Sequence, residues 1–137
     1  MRYLCRALAA AALTAAFIVP SSATAQINTV EVARTAQLLP EGVMVLVPVT
    51  VNCVADANGS VGVVLAQSTG NHLVSQGTGT TFVCTGVDQT VIVEIGNPSG
   101  FPFKQGKALA TARLLVVDSM GNFIEVNAEA KEIHLKR

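Results

Sequence analysis

Val43, Val45, Val47, Val49, Val51 and Cys53 occupy every second position of residues 43–53. Side chains alternate across a β-strand, so this spacing puts all six on one face of an extended chain; a helix would scatter them around its axis. The same period recurs in Val91, Val93 and Ile95, and again in Ile124, Val126, Ala128 and Ala130. In that last run the apolar residues alternate with Glu125, Asn127, Glu129 and Lys131, the mark of a strand with one face buried and one wet. No convincing helix interrupts these runs in the body of the chain.

Turn chemistry divides the pattern into strands. Thr29 to Val32 opens the first, with Leu39 as its outer limit, and Pro40-Glu41-Gly42 turns the chain. The long Val43–Cys53 strand contains Pro48, which cannot donate to a ladder and so is expected at an edge or a bulge. Asp56-Ala57-Asn58-Gly59 reads as a turn in which Asn-Gly supplies positive φ. Val61 to Gln67 is the next strand, ended by Thr69-Gly70-Asn71. His72–Gln76 and Thr80–Cys84 follow as separate strands around Gly77-Thr78-Gly79, then Gln89 to Ile95. After the Gly96–Gly100 loop, Ala108 to Val117 is a buried run, and Asp118 to Asn122 makes a hairpin turn. Ile133 and Leu135 have the opposite parity to Ile124–Ala130, which predicts a bulge near Lys131. Seven or eight short strands predict an all-β, immunoglobulin-like antiparallel sandwich, favoured over a barrel.

Residues 1–25 read as a signal peptide. Arg2 and Arg6 form a basic start, Ala7 through Val19 an uncharged apolar stretch, and Ala23-Thr24-Ala25 a cleavage site before Gln26. A membrane span needs about 20 apolar residues, and Pro20 cuts this stretch short. No second stretch of spanning length follows. Residues 26–137 are then one domain of the secreted, extracellular protein, without a membrane attachment after leader removal. Arg2 and Arg6 leave with the leader, so acidic residues slightly outnumber basic ones. No basic run precedes Lys136-Arg137, which speaks against nucleic acid as a partner.

Cleavage also removes Cys5 and leaves Cys53 and Cys84 as a pair in an oxidising compartment, where a bridge is expected. Cys53 shares the parity of Val51 and Val49, and Cys84 that of Phe82, so both sulfurs are directed toward a core. Neither a C-x-x-C motif nor a zinc spacing is present.

Val49-Thr50-Val51-Asn52-Cys53, Gln67, Phe82-Val83-Cys84-Thr85-Gly86 and Phe103-Lys104-Gln105-Gly106-Lys107-Ala108 together resemble small exported β-domain proteins of actinobacteria. That resemblance implies export and an immunoglobulin-like fold, not a particular activity. Carriers of neocarzinostatin type share the architecture by analogy, although their second disulfide has no counterpart here. The cysteine separation is shorter than in antibody domains, and there is no core Trp.

Catalytic candidates are few. His72 follows a Gly-Asn turn and His134 lies between Ile133 and Leu135; both read as surface residues. Glu125 and Glu129 share a solvated strand face. Asp56-Ala57-Asn58-Gly59 echoes the start of a calcium loop, but the residue needed as its bidentate Glu is Gln67. Asn58-Gly59-Ser60 is a formal glycosylation sequon. No catalytic residue, metal or cofactor is implied. Phe101 and Phe103, flanking Pro102 after a Gly-rich loop, are the candidate partner-binding residues; the favoured competing reading has them plug the end of the sandwich. The expected function is a non-catalytic extracellular interaction or structural module, its partner an extracellular protein. The alternative is a carrier holding an apolar small molecule in a cleft.

Overall fold

The computed structural model describes residues 28–97 and 101–137. The expected signal peptide at 1–25 and residues 98–100 of the Gly96–Gly100 loop lie outside the described residues. Among the described residues the chain forms strands β1 (Thr29–Val32), β2 (Thr35–Leu38), β3 (Met44–Asn52), β4 (Asn58–Thr69), β5 (His72–Val83), β6 (Gln89–Gly96), β7 (Gly106–Val117), β8 (Phe123–Asn127) and β9 (Lys131–Lys136). A short 3-10 turn spans Pro40–Gly42. The fold is all-β, as the alternation predicts.

The strands make one mixed sheet in the order β1-β3-β2-β9-β7-β4-β5, with β6 on the other side of β3 and β8 paired to β7. Every pairing is antiparallel except β2 with β9, a parallel seam that joins the two halves. Val45, Val47, Val49 and Val51 of β3 are fully buried with Val61, Val63 and Leu65 of β4, Ala110, Ala112 and Leu114 of β7, and Ile133 and Leu135 of β9. One cluster unites them, so the sheet curls around a single core. Burying a valine side chain completely stabilises by roughly 1.5–3 kcal/mol, so the inward parity of β3 is a strong apolar anchor for this core.

Nine strands replace the expected seven or eight, and each difference has a cause. The first strand breaks at Ala33-Arg34 into β1 and β2, which share one side of β3. Pro48 lies opposite that break. Of the two settings expected for Pro48 the edge is not found, because β3 is flanked by β1 and β2 on one side and by β6 on the other. The irregular ladder is found: residues 33–36 stand opposite 47–48. The Pro48 carbonyl accepts from the Ala33 amide at 3.0 Å. A residue's N–H and C=O point to the same side of a strand, so the missing N–H faces the interruption, where the ladder is already open.

Gly77-Thr78-Gly79 does not end a strand. The β4–β5 ladder runs through it from Asn58↔Val83 to Thr69↔His72. Gly70, with φ of 61°, occupies the first position of the two-residue turn, as a type II′ hairpin requires. The turn before β4 also differs from the reading of Asn58-Gly59: Asp56 takes the positive φ, 68°, and Asn58-Gly59 already belongs to β4. Gly59 is needed for room. A Cβ there would lie 2.5 Å from Cζ of Phe82, whose ring covers it.

The predicted bulge is present. Arg113 pairs with Asn127 and Ala110 with Lys131, so two residues of β7 oppose three of the partner segment, 128–130. That one extra residue shifts the parity and returns Ile133 and Leu135 to the core.

Cys53 and Cys84 form the expected disulfide, with Cα atoms 5.5 Å apart and both residues buried. Main-chain bonds surround it: Cys84 N–H donates to the Ala57 carbonyl, Asp56 N–H to that of Cys84, and Gly86 N–H to that of Cys53. The bridge fastens the end of β3 to the end of β5, elements from opposite halves of the sheet.

Candidate functional site

The register divides β4, β5, β7 and β8 into inward and outward residues, because directly paired residues project to the same side. Val64 pairs with Gly77 and with Thr111, and Val117 pairs with Phe123. Their outward set therefore contains Leu73 and Val83 of β5, Val64 of β4, Leu109 of β7 and Phe123 of β8. All five are well exposed, from 48% for Leu109 to 75% for Leu73. Isolated exposed apolar residues are ordinary, but a concentration of them on one sheet face marks a contact surface.

Small residues shape this face. Along β4 the outward positions are Asn58, Ser60, Gly62, Val64, Ala66 and Ser68, all short side chains. Longer side chains on β5, β7 and β8 stand on either side, so β4 becomes the floor of a trough. Three depressions follow it. One of about 550 Å³ is bounded by Val83, Leu115 and Phe123. The next, about 420 Å³, surrounds Gly62 and Val64. The third, about 290 Å³, lies between Leu73 and Leu109. Its rim carries Lys107 and Glu132, 3.7 Å apart.

The two phenylalanines singled out in the sequence are placed differently from each other. Phe103 is 1% exposed and belongs to the core, so partner contact at this residue would require opening the fold. Its N–H donates to the Gly42 carbonyl. Gly42 has φ of 66°, and a Cβ on it would collide with the Phe103 carbonyl, which explains the glycine. Phe101 stays half exposed and packs its ring against His72, with centroids 4.6 Å apart and a 31° interplanar angle. The Asn97 side-chain amide donates to the Phe101 carbonyl. Phe101 thus caps the β4–β5 hairpin end, away from the trough's larger depression.

Gln67 is the one buried polar residue of the described core, and the sequence reading missed its role. Its amide nitrogen donates to the carbonyls of Lys104 at 2.7 Å and Lys107 at 3.2 Å, and its oxygen accepts from Lys104 N–H at 2.8 Å. It clips the approach to β7 onto β4. A polar side chain at an inward position of an otherwise apolar alternation was the available signal.

His72 and His134 are both exposed, on β5 and β9. Among the described residues, no group of three or more His, Cys, Asp or Glu is placed to hold a metal ion. Glu125 lies 3.8 Å from Arg113, and both project from the same outward face as the trough, with Arg113 beside its middle depression. Asp118 is engaged in its own turn, where Oδ1 accepts from Met120 N–H and Asn122 N–H and Oδ2 accepts from the Asn122 side chain. The Asn122 side-chain bond, followed by the main-chain N–H bonds, holds its carboxyl below the usual aspartate value. No helix among the described residues is long and apolar enough to cross a membrane. No family model, curated protein or solved structure matches the chain.

Proposed function

We propose that this chain is a secreted, non-catalytic interaction module. In this reading it is an immunoglobulin-like sandwich that binds an extracellular protein through the outward face of β5, β4, β7 and β8. The observation that carries the reading is the alignment of Val64, Leu73, Val83, Leu109 and Phe123 around a trough floored by small residues. A face selected only for solubility has no reason to place apolar side chains on the outward side of four adjacent strands. Export is supported by the basic-apolar-small order of residues 1–25 and by the buried Cys53–Cys84 bridge. The carrier alternative draws on the depression of about 550 Å³, a volume within the range of small-molecule sites.

Gly62 allows a direct test. A Cβ there meets only the Thr78 carbonyl, at 3.8 Å, so larger residues fit the backbone and project into the trough. Native mass spectrometry of wild-type protein recovered from culture medium is expected to show a chain starting at Gln26 and carrying a non-covalently bound partner. Gly62→Val should fold equally well and lose the partner. Bound mass of a few hundred daltons would favour the carrier. A bare wild-type chain, or binding indifferent to Gly62→Val, would remove the face from consideration.

A further inference from the structure

The trough ends at β5, and the far side of β5 is unusual among the sheet's edges. Natural sheets blunt their edges with short strands, charges, prolines or bulges. Here β1 and β8 are short, with 4 and 5 residues, and β6 carries Glu94. By contrast, β5 runs for 12 residues, His72-Leu-Val-Ser-Gln-Gly-Thr-Gly-Thr-Thr-Phe-Val83, without Lys, Arg, Asp, Glu, Pro or a bulge.

The hairpin determines which main-chain groups are left over. Thr69 and His72 flank a two-residue turn and form a hydrogen-bonded pair, so the even-numbered residues of β5 bond to β4. The N–H and C=O groups of Ser75, Gly77, Gly79 and Thr81 therefore point away from β4; all four residues are exposed, and β6 comes close to β5 without pairing with it. None of them has a hydrogen-bond partner among the described residues. At the end of the strand, the Val83 carbonyl is already taken by the Gln89 side chain at 3.3 Å.

We propose that two copies of this chain pair through their β5 edges, antiparallel about a twofold axis at Thr78. The β5 edge is a surface distinct from the trough, and its partner here is a second copy of the chain. In this register Ser75 faces Thr81 of the second copy and Gly77 faces Gly79, each pair exchanging two main-chain hydrogen bonds. Thr78 faces its own equivalent as a non-hydrogen-bonded pair. Gln76 meets Thr80, Val74 meets Phe82, and Leu73 meets Val83. Hydroxyl is matched with hydroxyl or amide and apolar with apolar, and no charge is brought against a like charge. Shifting the axis by one residue, to Gly77 or Gly79, loses the Leu73–Val83 match. Two sheets joined this way would continue the trough-bearing face across the axis. The paired segment, Ser75–Thr81, is far smaller than the roughly 20–30 residues a side of a standard stable interface, so the dimer is reversible and concentration-dependent.

Sedimentation velocity of the mature, oxidised protein from about 1 µM to about 1 mM, a range spanning weak association, is the first measurement. Wild type should shift from monomer to dimer. Ser75→Lys/Thr81→Lys, both exposed positions, sets lysines opposite lysines in this register and should weaken association ~10-fold or more. Ser75→Lys/Thr81→Glu restores opposite charges at the same pairs and should dimerise at least as well as wild type. Thr78→Cys adds a single free thiol on the axis, where the facing Cα atoms are close enough for a disulfide. Under mild oxidation it should cross-link faster than Thr111→Cys, an exposed control on β7. Monomer at every concentration, association insensitive to the double lysine variant, or equal cross-linking at 78 and 111 would overturn the proposal. A monomeric protein that still binds a foreign partner sensitive to Gly62→Val would leave the contact-surface reading standing. A bare monomer would end both.

Discussion

Gln67 offers the sharpest test of how the core is held together. Replacing it with Leu keeps the volume and removes all three of its bonds to Lys104 and Lys107. Each such bond contributes about 0.5–1.5 kcal/mol net, and a buried group left without a partner costs about 1–3 kcal/mol. The Lys104 amide and two carbonyls lose their partners at once, but they lie at a partly buried loop that water can reach. The expected loss is therefore about 2–4 kcal/mol, in place of the larger sum for a sealed site. Gln67→Glu should be worse, because a carboxylate still accepts from Lys104 N–H but faces the two carbonyl oxygens with no donor. Urea unfolding followed by circular dichroism measures the loss as a shift in midpoint at unchanged slope. Amide hydrogen exchange adds a local readout, since Lys104 N–H should lose protection while the β3 amides lose it only in step with global stability. A Gln67→Leu variant within about 0.5 kcal/mol of wild type, with Lys104 still protected, would refute the clip.

Three further outcomes are expected. Cys53→Ala/Cys84→Ala releases the closure of residues 53–84 and should cost about 3–4 kcal/mol in denaturant unfolding; an unchanged midpoint would show that the bridge constrains nothing. Gly59→Ala places a Cβ 2.5 Å from the Phe82 ring and should destabilise by about 1–3 kcal/mol. Combining it with Phe82→Leu should recover part of that loss, and strictly additive effects would contradict the collision. Asp118 has a folded pKa below its unfolded value, so its contribution to stability is present above the unfolded pKa and is lost as pH falls through the folded one. Asp118→Asn should flatten the acid limb of the unfolding midpoint against pH relative to wild type, and parallel curves would assign the acid sensitivity to other carboxylates.

The alternation made the inward face of β3 and β6 and the positions of Ile133 and Leu135 readable before any coordinates. It overstated the run from Ile124 to Ala130, where Ile124 and Ala130 are exposed and Val126 and Ala128 are only partly buried. On β3 and β6 a residue on the wrong parity exposes a valine or buries a charge, and both are costly. The bulge before Lys131 was legible for the same reason: Ile133 and Leu135 could reach the core only if one extra residue intervened. Pro48 was harder. Its ring does exclude a ladder bond, as supposed, but the exclusion acts on one side of a strand only. The break at Ala33-Arg34 provides an unladdered stretch beside an interior strand, a compensation from distant sequence. Gly77 and Gly79 misled because glycine weakens an isolated strand, whereas here β4 supplies a continuous partner through both.

The candidate face was not legible, and β4 shows why. In Val61-Gly62-Val63-Val64-Leu65-Ala66 the inward parity is Val, Val, Leu and the outward parity Gly, Val, Ala. Both parities are apolar, so hydrophobicity alone cannot say that Val64 faces solvent. Only the pairing of Val64 with Gly77 and Thr111 does so. The same pairing turns Ser60, Gly62 and Ala66 from weak strand formers into a floor with walls. Phe101-Pro102-Phe103 drew notice in the sequence because it is a local motif, yet Gly42 and the core take Phe103 inward and His72 takes Phe101. Contact surfaces on sheets are assembled across strands, one residue in two from each. The outward pattern that matters here, Leu73, Val64, Leu109, Val83 and Phe123, therefore has no counterpart as a continuous word in the chain.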